Sequence, residues 1–180
     1  MKQLARVFTA LVLLLFVIMT AALIYLRAPM PITAPPVPPL MGQIDRIVIE
    51  KSARRMMLYQ DGKIVRNYRT ALGFSPEGDK SRQGDGRTPE GIYRINRLND
   101  RSAYHLSLGL DYPQPADAAR AAAIGRDPGG DIMIHGQPNA FSDAAVIKGD
   151  WTAGCIAVSN AEIREIFAST PIGTEVEVRP

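Results

Sequence analysis

Twenty consecutive uncharged residues, Val7 to Leu26, constrain this chain more than any other feature. At ~1.5 Å rise per residue, such a run reaches the ~30 Å of a hydrocarbon core, which predicts a transmembrane helix over about 7–26. Lys2, Arg6 and the amino terminus precede the run and only Arg27 comes after it. That bias puts the N-terminus in the cytoplasm and the rest outside, as a single-pass protein of the inner (cytoplasmic) membrane with its body in the periplasm or cell-wall space. The rival is a cleaved signal peptide, whose apolar region usually spans ~7–15 residues and ends at a small-x-small site. Here Leu23 to Leu26 carry the run past the small residues Thr20-Ala21-Ala22, so residues 1–27 are read as an anchor that stays attached. Both readings export the body of the chain.

Six of the eleven residues from Pro29 to Pro39 are proline, which removes backbone donors and favours an extended polyproline II spacer at ~3.1 Å per residue. Residues 28–42 therefore read as a linker and 43–180 as one domain of ordinary size. The formal charge of +3 suggests at first a basic binding surface. Three basic residues, Lys2, Arg6 and Arg27, precede the first acidic one, Asp45, and the body beyond carries equal numbers of each sign. A basic groove for nucleic acid is excluded on that ground.

The domain opens with strand patterns at Ile44–Glu50, Arg55–Gln60 and, after the Asp61-Gly62 turn, Lys63–Leu72. Residues Phe74 to Glu90 are rich in Gly, Pro and charge and read as a loop, followed by a strand at Ile92–Arg97. Ala116–Ile124 is a helix ended by Gly125, and Asp131–Ile134 is a short buried strand running into His135. Ser159 with Glu162 three residues on is a capping box that opens a helix to about Ala168, and Glu175–Arg179 alternates as a last strand. The sum is mainly β with two short helices behind the anchor.

One cysteine and two histidines exclude an internal disulfide framework and a Cys-rich cluster, and leave little for a histidine metal site. No metal or organic cofactor is indicated. In an exported domain a lone thiol is either a buried small hydrophobe, half of an intermolecular disulfide, or a nucleophile. The local sequence Asp150-Trp151-Thr152-Ala153-Gly154-Cys155-Ile156-Ala157-Val158 favours the last. Glycine before the thiol permits a sharp turn and close approach of a carbonyl. Backbone N–H groups at such a turn can hold an oxyanion, and a nearby helix start favours a thiolate. His135, at the end of a strand, supplies the base a cysteine nucleophile needs. Taken alone, it could equally be a ligand or a satisfied core residue.

His135-Gly136, followed after Trp151 by Thr152-x-Gly154-Cys155, resembles the active-site signature of L,D-transpeptidases with the YkuD-type catalytic domain. Leu72-Gly73-Phe74-Ser75-Pro76-x-Gly78-Asp79-Lys80 and Gly84-Asp85-Gly86-x-Thr88-Pro89-Glu90-Gly91-Ile92-Tyr93 also look like that family's, so the resemblance runs from about Ile44 to Arg179. It implies a mainly β catalytic fold, sandwich- or meander-like, with short helices. It further implies that Cys155 attacks the carbonyl between the third residue of a peptidoglycan stem peptide, usually diaminopimelate, and the following D-Ala. His135 would act as general acid and base, with the Gly136 carbonyl orienting its ring. The N–H groups of Gly154 and Cys155 would form the oxyanion hole, with Thr152 and Ala153 also facing substrate.

Ala153 stands where many members have His, and Ala157 where many have Arg. Arg126 and Lys148 are candidates to replace that cation, although a solvated charge is the plainer reading of each. The departures resemble a subgroup that includes enzymes detaching the murein lipoprotein, so hydrolysis, with that lipoprotein as partner, stands beside transpeptidation. A non-catalytic wall-binding module is the third reading. His105 reads as a strand residue near the surface, Trp151 as packing, and Asp79, Asp85 and Asp131 as turn or cap residues, since no EF-hand spacing is present. The Gly84-Asp85-Gly86 loop lacks the Lys-Ser/Thr of a P-loop.

Overall fold

The computed structural model describes residues 2–27 and 38–180, and the chain divides into two compact units, 1–38 and 39–180. The first unit is one α-helix, α1 (Lys2–Arg27). The expected transmembrane helix, and with it the single-pass membrane location, is corrected here: among the described residues no helix is long and apolar enough to cross a membrane. Most of the linker expected over 28–42 lies outside the described residues.

The second unit contains β1 (Arg46–Glu50), β2 (Arg55–Gln60), β3 (Lys63–Arg69), β4 (Gly91–Ser102), β5 (His105–Leu110), α2 (Pro115–Ala123), β6 (Met133–His135), β7 (Ile156–Ala157), α3 (Asn160–Ser169) and β8 (Glu175–Arg179). The first three strands form the expected antiparallel meander. Asp61 and Gly62 both take positive φ between β2 and β3, as a two-residue hairpin turn requires. β8 then inserts between β1, to which it is parallel, and β4, to which it is antiparallel.

The sheet order is β3-β2-β1-β8-β4-β5-β6-β7. A sandwich would have two facing ladders, whereas here β4 joins everything. Its residues Gly91–Arg94 pair with β8, and from Ile95 onward it pairs with β5. Register shifts between Ile95 and Arg97 and between Asn99 and Ser102 give the local irregularity by which one long strand serves both halves.

In β1 three consecutive residues, Ile47, Val48 and Ile49, are buried. The strand is central, and such strands bury both faces. Ile163 and Ile166 of α3 join the core cluster with Ile47, Ile49, Leu58, Leu108 and Ile134. The capping box that starts α3 is present in both directions: Glu162 N–H donates to Ser159 Oγ at 3.2 Å, and Ser159 N–H donates to Glu162 Oε2 at 2.7 Å.

The Gly- and Pro-rich loop after β3 is held by two buried cations. Lys51 Nζ reaches the Gly78 and Thr88 carbonyls and Glu90 Oε1 at 2.6, 3.0 and 2.7 Å. Lys80 Nζ meets Asp85 Oδ1 at 2.8 Å, the two side chains being 3% and 6% exposed. Burial alone would raise the Asp85 carboxyl, but Lys80 and the N–H groups of Ser81, Arg87 and Arg82 outweigh it and bring it down to about 2. Because the folded carboxyl titrates below the unfolded one, this contribution is full above the unfolded value of ~3.9 and is lost as pH falls toward 2. Asp85→Asn is therefore expected to cost about 2–3 kcal/mol at neutral pH. In denaturant titrations its difference from wild type should shrink between pH 4 and pH 2; a gap independent of pH would contradict this origin.

Candidate active site

β3 stops at Arg69, short of the expected Leu72, because the chain leaves the meander there to meet the other end of the sheet. Ala71 bridges Ala157 and Gly73 bridges Thr152. β6 and β7 run parallel, with Ile134 opposite Ile156 and His135 opposite Ala157. This register sets His135, the last residue of β6, opposite Ala157, the last of β7 and two residues beyond Cys155, although His135 and Cys155 lie twenty residues apart in sequence. Both Cys155 and His135 line one cavity of about 410 Å³, with Tyr104, Trp151, Thr152 and Ala153 among its walls.

His135 is 4% exposed, and its Nδ1 lies 2.7 Å from the Gly136 carbonyl. A carbonyl only accepts, so Nδ1 carries the proton and Nε2 is the basic nitrogen. Tyr104 lies against the imidazole at 4.6 Å between centroids, and Trp151 meets it edge-on at 5.7 Å. Burial lowers the imidazole's proton affinity, with the Gly136 hydrogen bond acting against it. Burial pushes the Cys155 thiol up; a hydrogen bond from the Met133 backbone opposes this, Asp131 adds to it and Lys80 counters it. The thiol also approaches the Asp131 carbonyl at 3.4 Å. The resting state supported by these shifts is a neutral thiol beside a neutral imidazole.

The turn before the thiol is closed by one hydroxyl. Thr152 Oγ1 donates to the Cys155 carbonyl at 2.7 Å and accepts from the Gly154 N–H at 3.1 Å. Gly154 has φ 139°, and a Cβ there would stand 2.8 Å from the Arg87 carbonyl oxygen. At Gly73 a Cβ would stand 2.1 Å from the Gly86 carbonyl oxygen. Backbone cannot yield as a flexible side chain does, so Gly73→Ala is expected to cost about 1–3 kcal/mol, read as a lowered midpoint in thermal unfolding. An unchanged midpoint would contradict the contact.

The structure thus gathers Cys155, His135, Thr152 and Ala153 around one cavity, with the Gly136 carbonyl on the imidazole. The Gly154 N–H is engaged by Thr152, while among the described residues the Cys155 N–H has no intramolecular partner. Ala157 is buried in its bridge with Ala71. Neither Arg126 nor Lys148 lines the cysteine cavity; Lys148 lines a separate one. Tyr104 was not singled out in the sequence. It stands in the β4–β5 turn beside His105, itself at φ 68°, and nothing in its sequence neighbourhood marks it. Asp150 was legible only as a neighbour of the motif; in the structure it accepts from the Leu72 N–H at 3.0 Å and from Arg54 Nε at 2.9 Å, fixing the approach to the turn.

Comparison with known proteins assigns the class. The chain belongs to the YkuD family, described as the L,D-transpeptidase catalytic domain, whose profile matches residues 44–178. It is 31% identical over 134 residues to YafK of Escherichia coli K12, covering 71% of this chain and 48% of that protein. It is 26% identical to the helical cell shape determining protein Pgp2 from Campylobacter jejuni, with a TM-score of 0.56 over 76% of this chain and 48% of the other. Bd1075 of Bdellovibrio bacteriovorus, at 21% identity and TM-score 0.53 over 76% of this chain and 48% of its own, shares the fold. The chain spans about half the length of these relatives.

Proposed function

We propose that this protein is a cysteine-dependent L,D-transpeptidase acting on peptidoglycan stem peptides. The observation that carries the reading is the pairing, in one cavity, of the chain's single thiol with an imidazole whose Nδ1 is fixed on the Gly136 carbonyl. With Nδ1 protonated, Nε2 is free to take the proton from Cys155 as sulfur attacks the carbonyl between diaminopimelate and D-Ala. The C–S bond forms, and the oxyanion is held by the Cys155 N–H, since the Gly154 N–H is already engaged by Thr152. The imidazolium returns its proton to the departing D-Ala amine as the C–N bond breaks, leaving a thioester. An acceptor amine then attacks the thioester carbonyl as His135 takes its proton; the new C–N bond forms, the C–S bond breaks, and the imidazolium returns the proton to the departing sulfur.

A neutral resting pair suits this sequence, because the imidazole must be unprotonated to begin it. Thr152 contributes by holding the turn, and Ala153, exposed at the cavity mouth, leaves room beside the sulfur where a larger side chain would stand. The test is product identity. Purified sacculi incubated with the protein should gain crosslinks through diaminopimelate as D-Ala is released, and neither change should occur with Cys155→Ala. Released stem peptides or released murein lipoprotein without new crosslinks would overturn transfer in favour of hydrolysis. Unaltered sacculi would favour a wall-binding module.

A further inference from the structure

Among the described residues the His135 side chain makes one hydrogen bond, from Nδ1 to the Gly136 carbonyl. One bond leaves a ring free to pivot about it, whereas proton transfer needs Nε2 held toward the sulfur. Tyr104 limits that pivot, its ring 4.6 Å from the imidazole between centroids with the planes 39° apart. At 40% exposed, Tyr104 is not fixed by burial. The β4–β5 turn that carries it is fixed instead by Asn139, four residues past His135, which grips both sides of the turn. Asn139 Oδ1 accepts from the His105 N–H at 2.7 Å, its Nδ2 donates to the Ser102 carbonyl at 3.0 Å, and its N–H donates to the Ala103 carbonyl at 3.0 Å. The Gly136 N–H donates to the Tyr104 carbonyl at 3.0 Å. Gly136 therefore holds the imidazole through its carbonyl and the backbone of Tyr104 through its N–H.

We propose that Tyr104 is a positioning residue for the base: it keeps Nε2 directed at Cys155, and its π face stabilises the imidazolium, with Asn139 as the clasp that holds it in place. The role rests on the reaction proposed above. An aromatic face within about 6 Å attracts a cation, most strongly away from water, and His135 is 4% exposed. The neutral imidazole gains less, so the contact favours the charged form that arises as the thiol proton is taken. The other titratable or charged groups around the imidazole are Cys155 and Asp131 in its cavity, Arg97 on Asp131, Lys80, which acts on the thiol, and His105 with Arg164 and Asp143. All of them are retained in the variants that test the role.

In the full chain, Tyr104→Leu keeps an apolar cover on the imidazole and removes the π face. With a tetrapeptide ending in diaminopimelate and D-Ala, its kcat should fall about tenfold with KM little changed, the scale of one desolvated cation–π contact. The acid limb of kcat/KM should move to lower pH by about half to one pH unit, because the imidazolium has lost a stabilising partner. Tyr104→Phe, which restores the face, should return both to wild-type values. Asn139→Ala, with both rings intact, should lower kcat in the same direction. The imidazole NMR signal that is lost in His135→Gln is titrated in the same proteins without substrate, and it should follow the acid limb. A reduced kcat in Tyr104→Leu with limb and signal unmoved would make the tyrosine packing alone and overturn the proposal. Failure of Tyr104→Phe to rescue would assign the effect to the hydroxyl and overturn it equally, and wild-type turnover in Asn139→Ala would overturn the clasp. If the wild-type protein turns over no peptide, the proposed reaction fails, while the titration of His135 still decides whether Tyr104 favours the imidazolium.

Discussion

Cys155→Ala is expected to reduce transfer to the uncatalysed level, a loss on the order of 10⁴–10⁶ in turnover, comparable to removal of a nucleophile in other acyl-transfer enzymes. The size of the effect reflects the contents of the cavity. Its other hydroxyls belong to Ser102, Tyr104, Ser107 and Thr152. Thr152 Oγ1 is spent between the Cys155 carbonyl and the Gly154 N–H, and Ser102 Oγ accepts from the Tyr104 N–H. An alcohol at its ordinary pKa is a far weaker nucleophile than a thiol. Cys155→Ala removes only one atom from a residue that is part-buried, so thermal stability should change little. Loss of turnover together with loss of folding would assign the cysteine a packing role instead.

His135→Ala is expected to lower turnover by about 10²–10⁴, the range for loss of a positioned general base. The same residue predicts the pH dependence. Because burial lowers its proton affinity, the acid limb of kcat/KM should lie below the ordinary imidazole value of ~6.5, with activity rising as pH increases through it. Because the thiol is pushed up, alkylation of Cys155 by iodoacetamide in the free enzyme should be slow at neutral pH and should increase above the ordinary thiol value of ~8.5. An alkylation rate already at its plateau near pH 5 would mean a resting thiolate–imidazolium pair and would contradict the neutral pair.

Much of this site was legible in the sequence because its groups are held by short local devices. Gly136 is next to His135, and its carbonyl fixes the ring one residue away. Thr152, Gly154 and Cys155 close their own turn within four residues. The capping box at Ser159 and Glu162 is a four-residue pattern, and the structure repeats it. What stayed hidden was long-range. Tyr104 reaches His135 only because β4 and β5 turn back over β6. The insertion of β8 between β1 and β4 joins β1 to residues more than a hundred positions away, and no local period encodes that. The sandwich expectation failed on β4, where a strand of twelve residues is shared by both halves of the sheet. The anchor expectation rested on the length of an uncharged run, and among the described residues α1 does not meet the requirement for crossing a membrane.

The most direct measurement of the central claim is the intact mass of the protein quenched in acid during turnover of a tetrapeptide ending in diaminopimelate and D-Ala. The account predicts a covalent species heavier by the peptide acyl group without its terminal D-Ala, mapped to the peptide containing Cys155, and absent from Cys155→Ala. Product forming with no such species, or the same adduct persisting in Cys155→Ala, would contradict it.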